Sequence, residues 1–185
     1  MQSRFIAVLI CLALTACGAV SPPPDTAQLP QGAFGTTDND MAAANQASWA
    51  FASAARIRDN PVDTARAVAA VDYLAGQLSS SPRWNAVSSL TKQQMLQTRA
   101  DLRQALGIVS NASSQVVVNA LLQFATAWQS GNQPGALQAL AIPAFTQPPQ
   151  QTLQVLTNLP SIPSANLATT SALRDMSRAI GSGRP

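Results

Sequence analysis

The chain contains no histidine and no glutamate, and its one lysine is Lys92. Zinc and other transition metals are held mainly by imidazole, thiolate and carboxylate. Here the thiols are Cys11 and Cys17, both close to the start of the chain. No metal and no cofactor are therefore expected. An oxygen-ligand calcium site needs clustered carboxylates, and the nearest candidate is Asp38-Asn39-Asp40. That triplet lacks the glycine and the distal glutamate of a calcium loop, so it reads as a helix cap. General acid and base catalysis draws on histidine or on carboxylate pairs with separated pKa values. Aspartate alone could serve here, and no two aspartates share an obvious apolar cleft. The expectation is a protein that is not an enzyme and has no catalytic residues.

Charge is also scarce. Only 10% of the residues are charged, against about a quarter in ordinary globular domains. The net charge of +3 is a small imbalance among few groups. It forms no dense basic patch of the kind that neutralises a phosphate backbone, so nucleic acid is not an expected partner. Glutamine, asparagine, serine and threonine must supply most of the polar surface.

The amino terminus is more informative. Arg4 is followed by an apolar run over Phe5 to Leu14 and then by Thr15-Ala16, the order of a bacterial export signal. The run is well short of the roughly 20 apolar residues that a membrane-spanning helix needs. Ser21-Pro22-Pro23-Pro24 then stops any helix, because proline lacks the amide proton and clashes with the preceding turn. Leu14-Thr15-Ala16-Cys17 resembles the lipobox of bacterial lipoproteins. The resemblance implies that residues 1–16 are a signal peptide and that Cys17 is lipidated and becomes the first mature residue. It also implies a membrane partner, reached through the N-terminal lipid. Gly18, in place of an aspartate after the lipidated cysteine, favours the periplasmic face of the outer membrane by the enterobacterial rule. With Cys11 removed and Cys17 acylated, no disulfide can form within the mature chain, and stability must come from packing.

Residues 17–37, rich in Pro, Gly, Gln and Thr, read as a flexible tether. Residues 38–185 suffice for one domain. Apolar residues recur there at three- and four-residue spacings with no alternation of period two, which predicts an all-α fold. The pattern predicts a single-domain helical bundle, with several shorter proline-bounded helices in its C-terminal half. A first helix is expected over 38–59, with Ala43, Ala47, Ala50, Ala54 and Ile57 on one face. A second, over 61–78, would start at Asn60-Pro61 and bury Val71, Leu74 and Leu78. A third region, 83–106, with a possible break near Ser88-Ser89, has Leu90, Leu96, Leu102 and Leu106 as its stripe. A fourth, 114–130, is expected to be capped by Ser113 or Ser114 and to bury Val117, Ala120, Leu121, Phe124 and Trp128. Shorter helices are expected over 135–142, 150–159 and 164–180, wrapping across the bundle, with a frayed tail from Gly181. Residues 120–140, with Trp128, Gly131 and Ala136-Leu137, are faintly similar to the turn of a tetratricopeptide pair. No second copy is present, so a plain helical hairpin is the expectation.

Among the acids, Asp72 lies beside the Val71 and Leu74 stripe and is expected to pair with an arginine such as Arg56 or Arg99. Ser89-Leu90-Thr91-Lys92 resembles the S-x-x-K motif of penicillin-binding proteins and serine β-lactamases. The companion Ser-Asp-Asn and Lys-Thr-Gly motifs are missing. With 18 serines in 185 residues, the match is an ordinary coincidence. Aromatics at helical spacing are usually core, which is the reading for Phe124 and Trp128, while Trp84 could instead line a pocket. The leading expectation for function is a membrane-anchored, non-enzymatic envelope lipoprotein that binds another envelope protein or supports an assembly. The alternative is a helical carrier for a lipid or other apolar ligand.

Overall fold

The computed structural model describes residues 25–182. The proposed export signal, Cys17 and the first part of the expected tether lie outside them. Among the described residues, seven helices fold into one all-α bundle: α1 (Asn39–Phe51), α2 (Pro61–Ser80), α3 (Ser89–Ala105), α4 (Ser114–Gln129), α5 (Gln133–Leu140), α6 (Pro149–Thr157) and α7 (Pro163–Ser182). Short 3-10 turns cover Ala54–Arg56 and Pro82–Trp84.

Local chemistry sets most of the boundaries. The Asp38 side chain accepts from the Met41 amide at the start of α1. Asn60 accepts from Asp63 N–H at 3.1 Å, with Pro61 in the first turn of α2, where its missing N–H costs nothing. Ser88 caps α3 through the Thr91 amide, and Asn132 caps α5 through Gly135. The expected first helix ends early, at Phe51. Ser53 there caps a new turn, Arg56 donates back to the Trp49 carbonyl, and Asp59 takes a left-handed conformation with φ of 59°. This reversal folds Ile57 into the core beside Ala50 and Ala67 and leaves Ala54 exposed.

α2 is the centre of the molecule. Ala65, Ala67, Val68, Ala69, Ala70, Val71, Leu74, Ala75 and Leu78 are all buried, so the helix is buried on nearly every side and not along one stripe. Its many alanines let α1, α4, α3 and α6 approach it closely. α5 and α6 are short and proline-bounded, as expected, while the helix expected over 164–180 extends slightly at both ends to 20 residues in α7, as many as in α2. Pro160 and Pro163 delimit the start of α7 without interrupting it, and the helix continues through Gly181 and Ser182, where fraying was expected. Bonds from Thr91 to Asp175 and from Ser164 to Asp101 hold α7 antiparallel to α3.

The predicted stripe of α3 holds at Leu102 and Leu106, which are buried, and in part at Leu96, which packs on the core, but fails at Leu90. Leu90 is 62% exposed, whereas Thr91, Met95, Thr98 and Leu102 face the core. Leucine density drew Leu90 into the stripe, yet the first turns of α3 that face α2 and α7 carry Thr91, Met95 and Thr98, with leucine joining them at Leu102. Met95→Ala should therefore cost about 2–5 kcal/mol, while Leu90→Ser should stay within about 0.5 kcal/mol of wild type. Urea unfolding of the two variants distinguishes the observed face from the expected one.

The tether boundary also moves. Residues 25–36 lie against the bundle: Ala27 is fully buried, and Leu29 and Phe34 pack on the core. The Asp25 carboxylate accepts from the Ser114 amide and so caps α4, replacing the expected Ser113 or Ser114 side chain. A proline- and glycine-rich segment can dock here because α2 presents Gly76, with no side chain, beneath it.

Candidate functional site

Three features could carry function: a buried ion pair, a polar cluster around Asp40 and a surface groove. The ion pair joins α2 to α3. Arg103 Nε donates to Asp72 Oδ2 at 2.7 Å and Nη2 to Oδ1 at 2.8 Å, a bidentate geometry that a lysine cannot copy. The remaining Arg103 protons reach the Ser110 and Ala112 carbonyls and the Ser114 hydroxyl. Burial works against the Arg103 charge, but the Asp72 bonds and the nearby Asp25 outweigh it and hold the guanidinium above its usual range. The sequence reading placed Asp72 near packed surface but named Arg56 or Arg99 as its partner. Arg99, one helical turn from Arg103, instead donates to the Asp25 carbonyl and to the Ser114 hydroxyl. Arg56 lies elsewhere, over the Trp49 ring.

Asp40 is buried at the start of α1. Its carboxylate accepts from Tyr73 Oη at 2.5 Å, from Trp84 Nε1 at 2.9 Å and from Arg83 Nη1 at 3.0 Å. Burial and the Asp40 carboxylate push the Tyr73 phenol well above its normal range, so it remains a donor. Arg83 also grips Asp38 with two bonds and lies 4.4 Å over the Trp84 ring. Trp84 is therefore a fully buried core residue and not part of an open pocket. Phe124 is core as well, with a half-buried Trp128 stacked on it.

Asp38 is held below the usual carboxylate value, first by the Arg83 hydrogen bond. Burial works against the Asp175 charge, but hydrogen bonds from Thr91 and Ser88 and the nearby Arg174 outweigh it. A carboxylate with a lowered folded pKa contributes stability that is complete above its unfolded value. That contribution is lost as pH falls through the folded value. Stability should thus decline as pH drops below about 3.8. The acid limb of the urea midpoint against pH should flatten in the Asp38→Asn, Asp175→Asn double variant.

The groove lies between the α1–α2 connection and the α6–α7 connection. It has a volume of about 320 Å³ and is lined in part by Phe51, Ile57, Leu159 and Ile162, with Asn158 and Asn166 at its polar edge. Trp49, 43% exposed, lies two residues before Phe51. No sequence signal marked this groove, because its walls come from chain segments about a hundred residues apart.

All eight aspartates lie in the described part. All except Asp59 accept a hydrogen bond from another residue. These groups cap helices and join them. Ser89 and Lys92 sit on the first turn of α3, with no hydrogen bond between them among the described residues. Among those residues, no group of three His, Cys, Asp or Glu side chains is placed to hold a metal. Likewise, no helix there is long and apolar enough to cross a membrane. Fold and geometry define a small all-α single-domain bundle whose carboxylates are engaged in its architecture. No protein-family model, curated protein or solved structure matches the chain.

Proposed function

We propose that this protein is a lipid-anchored envelope lipoprotein whose helical bundle binds another envelope protein and performs no catalysis itself. The observation that carries the reading is Leu14-Thr15-Ala16-Cys17 at the end of a short apolar run, eight residues before the chain meets the bundle at Asp25. The engagement of its aspartates in caps and pairs fits a module that works through its surface. Trp49, with the Arg56 guanidinium 5.8 Å from its ring centroid, is the type of aromatic and arginine pair that anchors protein interfaces.

Cys17→Ser is expected to abolish palmitate labelling, to release the protein from the membrane and to remove its cross-linked partners in intact cells. Labelling that persists without Cys17 contradicts the anchor, and a wild-type chain that captures no partner contradicts the binding role. A second reading, a carrier for an apolar ligand, draws on the groove beside Phe51. Its volume lies at the lower end of the roughly 300–1,000 Å³ typical of ligand sites. That reading requires an apolar molecule to co-purify with the protein.

A further inference from the structure

Gly76 stands well inside α2, a position where glycine is a poor choice because it costs helix stability. The reason lies above it. A Cβ at this position would fall 2.5 Å from the Asp25 carbonyl oxygen and 2.7 Å from Thr26 Cα. The glycine therefore gives up helix stability so that residues 25–36 can lie directly on the backbone of α2. Polar ties hold that segment along its length. Gln77 Nε2 donates to the Ala27 carbonyl, and the Gln115 amide both accepts from Gln28 N–H and donates to Gln28 C=O. At its leading end are the Asp25 bonds to Ser114 and Arg99.

Many of these attachments lie near the surface. Ala27 is fully buried, but Asp25, Gln28 and Pro30 to Gly32 are exposed, and the glutamine bonds lie at the surface. One fully buried alanine and two half-buried side chains, Leu29 and Phe34, set against the entropy of ordering a dozen residues, mark a segment at the low end of local stability.

We propose that residues 25–36 form a releasable strap that sets how far the bundle stands from the membrane. The proposal rests on the reading of Cys17 as the lipidated residue. Eight peptide units separate Cys17 from Asp25. At most about 3.6 Å each, they let the docked bundle stand no more than about 29 Å from its anchor point. Release of the strap back to Asp38 lengthens the connection to 21 units, a limit of about 75 Å. Docked, the strap makes the chain leave the domain beside Arg99 and the start of α4, whereas released it leaves at the start of α1. Released, the bundle can turn and reach a partner standing away from the membrane. The strap therefore sets both the reach and the point from which the bundle is tethered.

The test uses the full acylated chain in vesicles of phosphatidylethanolamine and phosphatidylglycerol. A donor fluorophore is placed at Ser130→Cys on the exposed end of α4, with an acceptor on the lipid headgroups. Mass spectrometry first establishes acylation of Cys17. Gly76→Ala acts from beneath the strap, and Ala27→Asp acts from the strap itself by placing a carboxylate in a fully buried position. Both are expected to lower energy transfer while helical circular dichroism stays unchanged. Amides 26–29 should exchange with solvent about tenfold faster or more. Variants that leave transfer at the wild-type value, whether or not the amides exchange faster, overturn the proposal. An unacylated Cys17 overturns the anchor reading and the reach it implies, and the initial mass measurement separates that failure from a strap that does not act.

Discussion

Alanine in place of Asp72 is expected to lower the stability of the fold by about 3–5 kcal/mol, the usual cost of removing one partner of a buried ion pair. Asp72 and Arg103 have side chains 1% and 6% exposed, so a lone guanidinium left there could not recover its hydration. The nearest remaining carboxylate, Asp25, lies 3.9 Å from Arg103 but is itself 45% exposed and is committed to the Ser114 amide. The loss should appear as a fall in melting temperature of roughly 6–20 °C for a domain of this size. Arg103→Lys should also destabilise, because an ammonium cannot bind both Asp72 oxygens and still reach the Ser110 and Ala112 carbonyls. The double variant Asp72→Leu, Arg103→Met removes both charges and should recover much of the loss of Asp72→Ala. A double variant no more stable than the single one would show that the arginine acts mainly through the carbonyls and Ser114.

The second large effect is expected at Trp84. It is fully buried, and its indole donates to a carboxylate that also receives Tyr73 and Arg83. Trp84→Ala should cost about 3–5 kcal/mol, the range for removing a large aromatic from a core. Trp84→Phe separates the two contributions. It keeps much of the bulk and removes the donor, so the loss should be about 1–3 kcal/mol, the cost of leaving a buried polar group short of a partner. Equilibrium urea unfolding followed by circular dichroism measures both. A Phe variant as unstable as the Ala variant would place the main contribution in the hydrogen bond to Asp40.

How much of this was legible before folding depended on distance along the chain. Asn60-Pro61 announced the start of α2, since the cap and the proline act within one turn. Asp38 was readable as the cap of α1 for the same reason. The face of α3 was not. Leucine density pointed to Leu90, but the side turned inward begins at Thr91, where a hydroxyl reaches Asp175 on α7. The partner of Asp72 was missed by four positions: Arg99 and Arg103 share a helix face, and only the packing of α3 on α2 selects between them. The groove beside Phe51 had no signal at all, because its walls meet only after α6 and α7 close over the α1–α2 connection.

By itself, the sequence determined the helical class, the proline- and asparagine-marked helix starts and the scarcity of catalytic and metal-binding residue types. It also carries the short apolar run ending at Cys17 on which the proposed anchor rests, outside the described residues. These are properties of composition and of neighbours within a few residues, where steric and hydrogen-bonding rules act directly. The tertiary structure alone decided that α2 is buried on nearly every side, that α7 packs beside α3, that Arg103 holds Asp72, and that residues 25–36 lie on Gly76 and cap α4 with Asp25. Each of those depends on which surfaces meet. Close packing sets that choice by fitting side-chain volumes from distant parts of the chain, and no local pattern encodes it.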